Sequence, residues 1–478
     1  MNPVLLIAAP LLAAFIAVIF KKIDKIVLGV VVVGNIIYSI ISAILFTGTT
    51  QFAIGGFAPP FGISLVADSY SLIGVILINV AFGLIVLMSG KLIGKYAIVL
   101  AISLAALNGI VLTGDLFNLF VFIEIAAISA YIMTTMNKQL RHTFNYLILG
   151  TLASGLFLFG IVVIYNIFGS LNIIDIQSKL ADAGGSAAGA MVLPIVFIFA
   201  GLSVEAKLIP FSGWVRGVLK DSNSLVGPLL VTGYAAAILL VFGRLTSTIF
   251  VMSDGLKIGL TVVAVATLVL AEFSAYAKKN LREVLLFSSI AQSGLVVALF
   301  LNGLTVAALL VLINNVVSKL VLFTLSAKIA DEAGSDKISE LKGIFSKYRL
   351  LGLGFTVAAM SLIGLPLFFG FVAKANALVS LFESGNLWLP AIILVVSVIE
   401  GIYIIRILTT LWNSGKEGEV PSADAQKEYK LNGYVKVSII ALIVGAAIIA
   451  TGILPILNIK EFLSSDFLSF ITRSMGGV

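Results

Sequence analysis

Runs of about 20 apolar residues, separated by short charged or Gly/Pro-rich breaks, recur along almost the whole chain. A run of that length spans the hydrocarbon core of a bilayer as an α-helix. Of the 478 residues, 60% are hydrophobic and only 11% are charged, a charged fraction about half that of a soluble domain. A globular interior of this chain length has no room for so many apolar side chains. The sequence therefore predicts an all-α polytopic membrane protein.

The apolar runs predict about fourteen transmembrane helices. In chain order, the predicted spans are 3–20, 26–47, 70–90, 96–113, 116–136, 143–168, 190–220, 222–244, 256–277, 283–301, 304–330, 350–384, 388–411 and 434–456. The first run has no basic residue before it and "KKIDK" after it, which is the reverse of a cleaved signal peptide. We interpret it as a retained helix whose N-terminus lies on the outer side.

Basic residues concentrate in alternate loops. These loops contain "KKIDK", "GKLIGK", "NKQLRH", "VRGVLK", "AKKNLRE", "DKISELKGIFSKYR" and "GKEGEVPSADAQKEYK". They hold about twenty Lys and Arg, against about five in the intervening loops, as the positive-inside rule requires of cytoplasmic loops. We expect a multi-pass protein of the inner or plasma membrane with both termini outside. The formal net charge of +7 is mostly a signal for membrane orientation, so nucleic acid is not an expected partner.

The composition excludes several kinds of cofactor site. The chain has no cysteine, which rules out disulfides, thiolate iron–sulfur clusters and cysteine zinc sites. Its one histidine, His142, falls in a predicted charged loop and cannot form a bis-histidine haem site. There is no Walker A pattern and no convincing Gly-rich nucleotide loop. We therefore expect no cofactor, no metal and no catalytic centre on this chain, and any redox chemistry on another subunit.

Two prolines interrupt apolar runs at related points of the chain. Pro210 lies between "VEAKLI" and "FSGWVRG", and Pro366 lies between "SLIGL" and "LFFGFVAKA". Proline removes a backbone donor and clashes with the preceding turn, so we predict broken helices seven and twelve. Broken helices in two halves indicate an internal repeat with sites at the repeat interface. The predicted units are helices one to three (1–95), a first repeat (96–244), a second repeat (256–411) and a C-terminal part with a cytoplasmic loop, helix fourteen and an outer tail (412–478).

Glu124 lies near the middle of predicted helix five, in "FNLFVFIEIAAISAY". A charge at that depth costs about 2.5–3.5 kcal/mol on insertion scales, so it is normally paired. One interpretation is a structural ion pair that holds two helices together. The other is a proton-accepting carboxylate coupled to a lysine.

Glu205 and Lys207 lie two residues apart just before the predicted break at Pro210. Because successive helical residues turn by about 100°, the two side chains address different neighbours. The break leaves carbonyls without helical partners, which could hold a cation or an ordered water. The alternative for Lys207 is a side chain that snorkels toward the inner interface.

Lys319 and Lys374 have no short route to an interface. Lys319 lies mid-helix in "INNVVSKLVLF", one turn after Asn315, with which it can hydrogen-bond along one face. Lys374 follows the second predicted break. A buried lysine can become an exchangeable proton carrier near neutral pH.

On predicted helix thirteen, Arg406 is interpreted as a snorkelling residue, and Glu400 is a deep carboxylate whose partner the sequence leaves open.

Several stretches resemble the signature helices of one membrane family. They are "DLFNLFVFIEIAAISAYIM", "LIPFSGWV", "NLREVLLFSSIAQSG", "LINNVVSKLVLF", "GLPLFFGFVAKANAL" and "YIIRI". With these residues the chain resembles the antiporter-like subunits of respiratory complex I, of Mrp cation/proton antiporters and of membrane-bound hydrogenase complexes. The similarity covers most of the chain. In size it is similar to the Mrp D-type and hydrogenase H-type subunits.

The resemblance implies fourteen core helices with two inverted five-helix repeats. Each repeat would offer a half-channel, joined at mid-membrane by buried charged residues and water. The resemblance puts the family glutamate of helix five at Glu124 and the family lysines of helices eleven and twelve at Lys319 and Lys374. The usual histidine before the helix-eleven lysine falls on Asn315.

Three positions depart from the family pattern. The helix-seven lysine of the family falls on Glu205, with Lys207 two residues later, and the helix-eight lysine falls on Val231 in "GPLLVTGY". A lysine of the loop before helix ten is Arg282, which does not deprotonate in proteins. Either Lys207 takes over from the missing lysine, with Glu205 as a second carboxylate, or the path carries another cation or only transmits movement. The retained buried charges favour a working, rewired path.

The leading hypothesis is a proton- or sodium-translocating, antiporter-like subunit of a multisubunit respiratory-type complex, either Mrp-like or a ferredoxin-linked hydrogenase or sulfur reductase. In it Glu124 pairs with Lys207, Lys319 relays, and Lys374 exchanges with the outer side. Expected partners are other membrane subunits, including further antiporter-like ones, and the lipid bilayer. The alternatives are a non-conducting structural or coupling subunit and a free-standing cation/proton antiporter.

Overall fold

The structure is a computed structural model that describes residues 2–60, 62–183, 187–220, 222–413 and 434–457. In the described residues the helices of the first half are α1 Leu5–Ile19, α2 Asp24–Ile44, α3 Ser69–Ser89, α4 Ile93–Leu112, α5 Leu116–Met136, α6 Leu140–Phe168, α7 Ile173–Ala183, α8 Ala187–Glu205, α9 Gly213–Lys220, α10 Val226–Leu229 and α11 Ala235–Thr248. A π-helical turn, Leu230–Tyr234, joins α10 to α11.

The helices of the second half are α12 Asp254–Ala277, α13 Leu281–Leu301, α14 Thr305–Ala333, α15 Ile344–Lys347, α16 Arg349–Ile363, α17 Phe369–Glu383, α18 Trp388–Trp412 and α19 Tyr434–Leu457. Most of the predicted cytoplasmic loop after α18, and the predicted outer tail, lie outside the described residues.

Twelve helices in the described part of the chain are long and apolar enough to cross a membrane, and α1 and α16 are shorter apolar helices. The prediction of an all-α polytopic membrane protein is confirmed, whereas the number of fourteen crossings stays a prediction. The spans Val226–Thr248, α13 and α14 are buried along most of their length, whereas only a minority of the residues of α2 and α6 is buried. The three buried spans therefore form the centre of the bundle, and α2 and α6 lie at its periphery.

Two elements were not expected from the sequence. Strands β1, Thr50–Ala53, and β2, Ser64–Ala67, pair antiparallel, and α7 is a short amphipathic helix whose residues Ile173, Ile176 and Leu180 are buried. Asn172, just before α7, donates from Nδ2 to the Ser64 hydroxyl at 2.6 Å. Both elements thus lie on one end of the bundle, the end that the charge pattern assigns to the outer side. The predicted loop around His142 is instead the first turn of α6.

A buried arginine ties this end together. The Arg244 guanidinium on α11 donates to both Asp68 carboxylate oxygens, at 2.7 and 3.2 Å, and to the Thr113 carbonyl at 3.0 Å. Asp68 also caps the N-terminus of α3 by accepting from the Ser71 amide. The arginine thereby connects α3, the α4–α5 turn and α11. A charge-assisted bidentate pair is among the stronger hydrogen-bonding arrangements in proteins.

The two predicted helix breaks are confirmed. The α8 helix ends at Glu205 and α9 begins at Gly213, on either side of Pro210, while α16 ends at Ile363 and α17 begins at Phe369, on either side of Pro366.

The helices that precede the two breaks, α8 and α16, end in the same backbone motif. In each, one residue has a positive φ: Lys207 at 66° and Gly364 at 86°. The amide of that residue bonds the carbonyl three positions back, and the next amide bonds the carbonyl five positions back. This is the Schellman motif, whose left-handed position usually holds glycine. The second break follows that rule, and the first uses a lysine.

We predict that Lys207→Gly is more stable than Lys207→Ala by about 1 kcal/mol, because a left-handed conformation is strained for a residue with a Cβ. Both variants lose the lysine side chain, so the comparison isolates the backbone. Thermal unfolding of the purified protein in detergent measures the difference. An alanine variant as stable as the glycine variant would contradict the assigned conformation.

Candidate functional site

The predicted site residues lie along the middle of the bundle. Lys207, Lys319 and Glu400 are buried, and Glu124, Glu205 and Lys374 are half-buried. The two halves of the chain contribute one polar cluster each, with α13 and α14 between the clusters. We describe the cluster of the first half, then that of the second, then the residues between them.

In the first half, both carboxylates bond hydroxyls of α6. Glu124 on α5 accepts from the Ser154 hydroxyl, and Glu205 at the end of α8 accepts from the Tyr146 hydroxyl at 2.9 Å. A small crevice between α5, α6 and α8 is lined by Ser154 and Glu205. Glu205 is within electrostatic range of both Glu124 and Lys207. The three ionisable groups are thus neighbours without forming direct ion pairs.

The break between α8 and α9 positions Tyr146. Trp214, in the first turn of α9, donates from its indole nitrogen to the Val204 carbonyl at 3.0 Å, so it binds a carbonyl next to the end of α8. The Trp214 ring stacks on Tyr146 with centroids 3.8 Å apart and planes 8° apart. The Tyr131 ring contacts the Tyr146 ring edge-on, with centroids 4.7 Å apart. This packing fixes the Tyr146 hydroxyl where it donates to Glu205.

Lys207 is directed away from α5. Its ammonium donates to the Ser289 hydroxyl on α13 at 3.0 Å, inside the bundle. The predicted ion pair between Glu124 and Lys207 is wrong, since neither residue belongs to an ion pair among the described residues. The reason is the left-handed conformation of Lys207, which lets its side chain leave the helix end toward the second half.

In the second half, Lys374 and Glu400 form a tight buried ion pair, with 2.6 Å between Nζ and Oε2. Lys374 also donates to the Ile363 carbonyl at 2.8 Å, a group that α16 leaves free where it ends. Free carbonyls able to hold a cation were expected at the first break, at Pro210. The Ile363 carbonyl at the second break holds the ammonium of Lys374 in this way. The partner of Glu400, which the sequence left open, is Lys374.

The second cluster contains a carboxylate that sequence analysis missed. Glu272 on α12 is buried and accepts from the Tyr403 hydroxyl at 3.0 Å. In the same cluster, the Gln292 side-chain amide donates to the Glu400 carboxylate at 3.2 Å. Glu272 is the lone acid of the apolar run "LVLAEFSAYA". The signal that drew attention to Glu124 was therefore present for Glu272 as well.

Lys319 on α14 lies between the clusters. It is fully buried, and no protein group in the described residues accepts a hydrogen bond from its Nζ. The predicted hydrogen bond with Asn315 is wrong, because the Asn315 Oδ1 is also without a partner there. Lys319 is within electrostatic range of Lys207 in the first half, and of Glu272, Glu400 and Lys374 in the second.

In the span Val226–Thr248, the position where the family resemblance implies a lysine is apolar. Val231 is buried, at 2% exposure, within the π-helical turn. A π turn inside an α-helix is frequent at functional sites. The titratable side chain of this turn is Tyr234, whose hydroxyl bonds that of Ser103 at 2.9 Å.

Two basic residues of the sequence prediction lie outside this row. Arg282 donates to the Ser222 and Ala327 carbonyls, at 3.1 and 2.8 Å, and pairs with Asp331 at 2.7 Å. It therefore fastens the connection between α9 and α10 to the last turns of α14, at the end of the bundle that carries the basic residues. Arg406 is exposed and donates to the backbone there, as expected for a snorkelling side chain.

The described chain closely matches known membrane subunits in its fold. It superposes on a chain of the membrane-bound sulfane sulfur reductase, an archaeal respiratory membrane complex, with a TM-score of 0.86 and 26% identity, covering 99% of this chain and 97% of that one. A chain of the Mrp complex from Dietzia sp. gives a TM-score of 0.84 at 20% identity, with 95% and 94% covered. This second likeness supports the fold alone.

Sequence relatives agree with the structural neighbours. The NADH-quinone oxidoreductase subunit N of Desulforudis audaxviator is 28% identical over 428 residues, 84% of each chain. The D-type subunit of the Na(+)/H(+) antiporter of Bacillus subtilis is 26% identical over 406 residues, 82% of each chain. A family model described as "NADH:quinone oxidoreductase/Mrp antiporter, TM" matches residues 113–400. Since that match spans more than half of its length, the chain belongs to the NADH:quinone oxidoreductase/Mrp antiporter family of membrane proteins.

Proposed function

We propose that this chain translocates protons, or sodium in exchange for them, as the antiporter-like subunit of a multisubunit membrane complex. The observation that carries the proposal is Lys319, which is buried at the centre of the bundle and flanked by ionisable groups from both halves. An unpaired charge in that position is costly, and such residues in membrane proteins usually mark ion pathways.

The path begins in the first half at Glu124, Glu205 and Lys207. Glu205 and Glu124 each keep an oxygen that the described hydroxyl bonds do not use, so each can accept a proton without losing its hydroxyl partner. Lys207 carries the charge from this cluster toward α13, since its ammonium already lies on that helix.

The path ends in the second half at Lys374. Its short pair with Glu400 holds the ammonium in place, while the Ile363 carbonyl holds it at the helix break. Exchange requires this pair to separate, and a charge arriving on Lys319 would repel Lys374 and attract Glu400. Such alternation of partners lets a proton leave Lys374 on the outer side. Glu272, held by Tyr403, provides the second acceptor for Lys319.

The rest of the complex supplies what this chain does not. The relatives are subunits of respiratory and antiporter complexes, and we propose that this chain likewise adjoins other membrane subunits, among them further antiporter-like ones. It would bind no cofactor or metal itself, and any redox centre would lie on a partner. We place it in the cell membrane with both termini outside, on the strength of the basic loops.

We predict that Lys319→Met lowers ion uptake by about tenfold or more, because the variant removes the central charge carrier. Assembly should survive, since replacing a buried charge with an apolar side chain of similar size is often neutral or stabilising. Uptake is measured in vesicles containing the purified complex. Lys179→Met, which removes a half-exposed lysine of α7, is the matched control and should transport normally. Undiminished uptake by an assembled Lys319→Met complex would rule out the proposed path.

We predict a second loss of transport for Glu400→Gln. The substitution keeps the shape of the side chain but removes the charge that pairs with Lys374, so the lysine loses the partner with which it alternates. Uptake assays of the same kind measure the effect, with an expected decrease of about tenfold. Normal transport in this variant would exclude the exchange of partners at the second break.

The proposed orientation can be tested with single cysteines, since the chain has none of its own. We predict that Ser178→Cys, on exposed α7, reacts with a membrane-impermeant maleimide added to intact cells. Ser339→Cys, exposed in the loop before α15, should react only after the membrane is permeabilised. The opposite pattern would reverse the orientation.

A further inference from the structure

Helix α13 separates the polar clusters of the two halves, and two adjacent serines face them in turn. Ser288 and Ser289 are both completely buried. Because neighbouring helical residues point about 100° apart, the two hydroxyls serve different sides of the helix. Ser289 accepts from Lys207 of the first half. The Ser288 hydroxyl has no hydrogen-bond partner within the described ranges and lies near the Tyr403 hydroxyl of the second half.

The contact between Lys207 and Ser289 bridges the predicted repeats. Lys207 follows α8 of the first repeat, and Ser289 belongs to α13 of the second. On the helix-eight side, Val231 offers only a hydrocarbon side chain. The titratable side chains of Val226–Thr248 are Tyr234, whose hydroxyl bonds that of Ser103 at 2.9 Å, and Arg244, which pairs with Asp68. The polar atom that touches the Lys207 ammonium is the Ser289 oxygen at 3.0 Å.

A serine hydroxyl can accept one hydrogen bond and donate another at the same time. The accepting side of Ser289 is used by Lys207. Its own hydrogen has no protein acceptor among the described residues, since the bond from Lys207 is the hydrogen bond that its Oγ makes there. Lys319 has an amine without a protein hydrogen-bond partner among the described residues. The two lysines are within electrostatic range of each other, and α13, which carries Ser289, packs against α14, which carries Lys319.

We propose that Ser289 is the relay that passes protons from the first half to the second, in place of a lysine on helix eight. The step rests on the proposed function. A proton leaves the Lys207 ammonium for the Ser289 oxygen as the hydroxyl hydrogen leaves that oxygen, through water, for neutral Lys319. Lys207 becomes neutral, Lys319 becomes charged, and Ser289 is a neutral hydroxyl before and after. One proton and one positive charge have moved, and nothing is oxidised or reduced.

The test compares Ser289→Thr with Ser289→Val. The two side chains have nearly the same shape, so both strain the buried site equally, and they differ in the hydroxyl. The Thr complex should keep most of its proton uptake in vesicles, and the Val complex should lose about tenfold or more. Equal uptake by the two variants would overturn the relay. Ser203→Ala is the control, since this buried serine bonds only its own helix at Phe199, and it should transport normally.

A second measurement separates a residue on the Lys207 route from one that acts elsewhere in the protein. If both residues act on one route, the double variant Lys207→Met with Ser289→Val transports no more slowly than the slower single variant. If Ser289 acts elsewhere, the two losses multiply, and the relay is rejected. Lys319→Met distinguishes this inference from the proposed function. If Lys319→Met loses uptake while Ser289→Val transports normally, the relay alone is rejected. If Lys319→Met transports normally, the proposed function is rejected.

Discussion

The cost of placing charge at the centre of a bilayer governs this structure. Each ionisable group there needs either a partner of opposite charge or hydrogen bonds from the protein. The chain meets that need around Glu205 and Lys374 by breaking two of its helices, which makes backbone groups available at mid-depth. Lys319 is left without a protein partner among the described residues. At the second break the Ile363 carbonyl holds the Lys374 ammonium. At the first, the Val204 carbonyl holds Trp214, whose ring fixes the hydroxyl that serves Glu205.

The two breaks share a backbone motif but use it differently. The second places glycine in the left-handed position, where no strain arises. The first places Lys207 there, at φ 66°, and accepts the strain. In return, the lysine side chain leaves the end of α8 toward α13 instead of toward α5. The same residue thus explains why the lysine lies two positions later than the family pattern and why its partner is Ser289. Strained backbone conformations are often found at functional positions in proteins.

The large features of the fold could be predicted from sequence because they follow from length, hydropathy and proline. The breaks at Pro210 and Pro366 are examples, since proline acts on its own helix. The partners of the buried charges could not be predicted, because they depend on how helices far apart in sequence pack. The expected pair of Glu124 with Lys207 failed for this reason, as did the bond of Lys319 to Asn315. Glu272 was missed although it is as isolated in its apolar run as Glu124.

The central claim is that one hydrogen-bonded path, completed by water, joins Lys207 through Ser289 to Lys319 and then to Glu400 and Lys374. The most direct measurement is a density map of the intact complex in a lipid nanodisc, at a resolution that places ordered water. The account predicts water density between the Ser289 hydroxyl and the Lys319 amine, and again between that amine and Glu400. Tightly packed apolar side chains filling both gaps would contradict it.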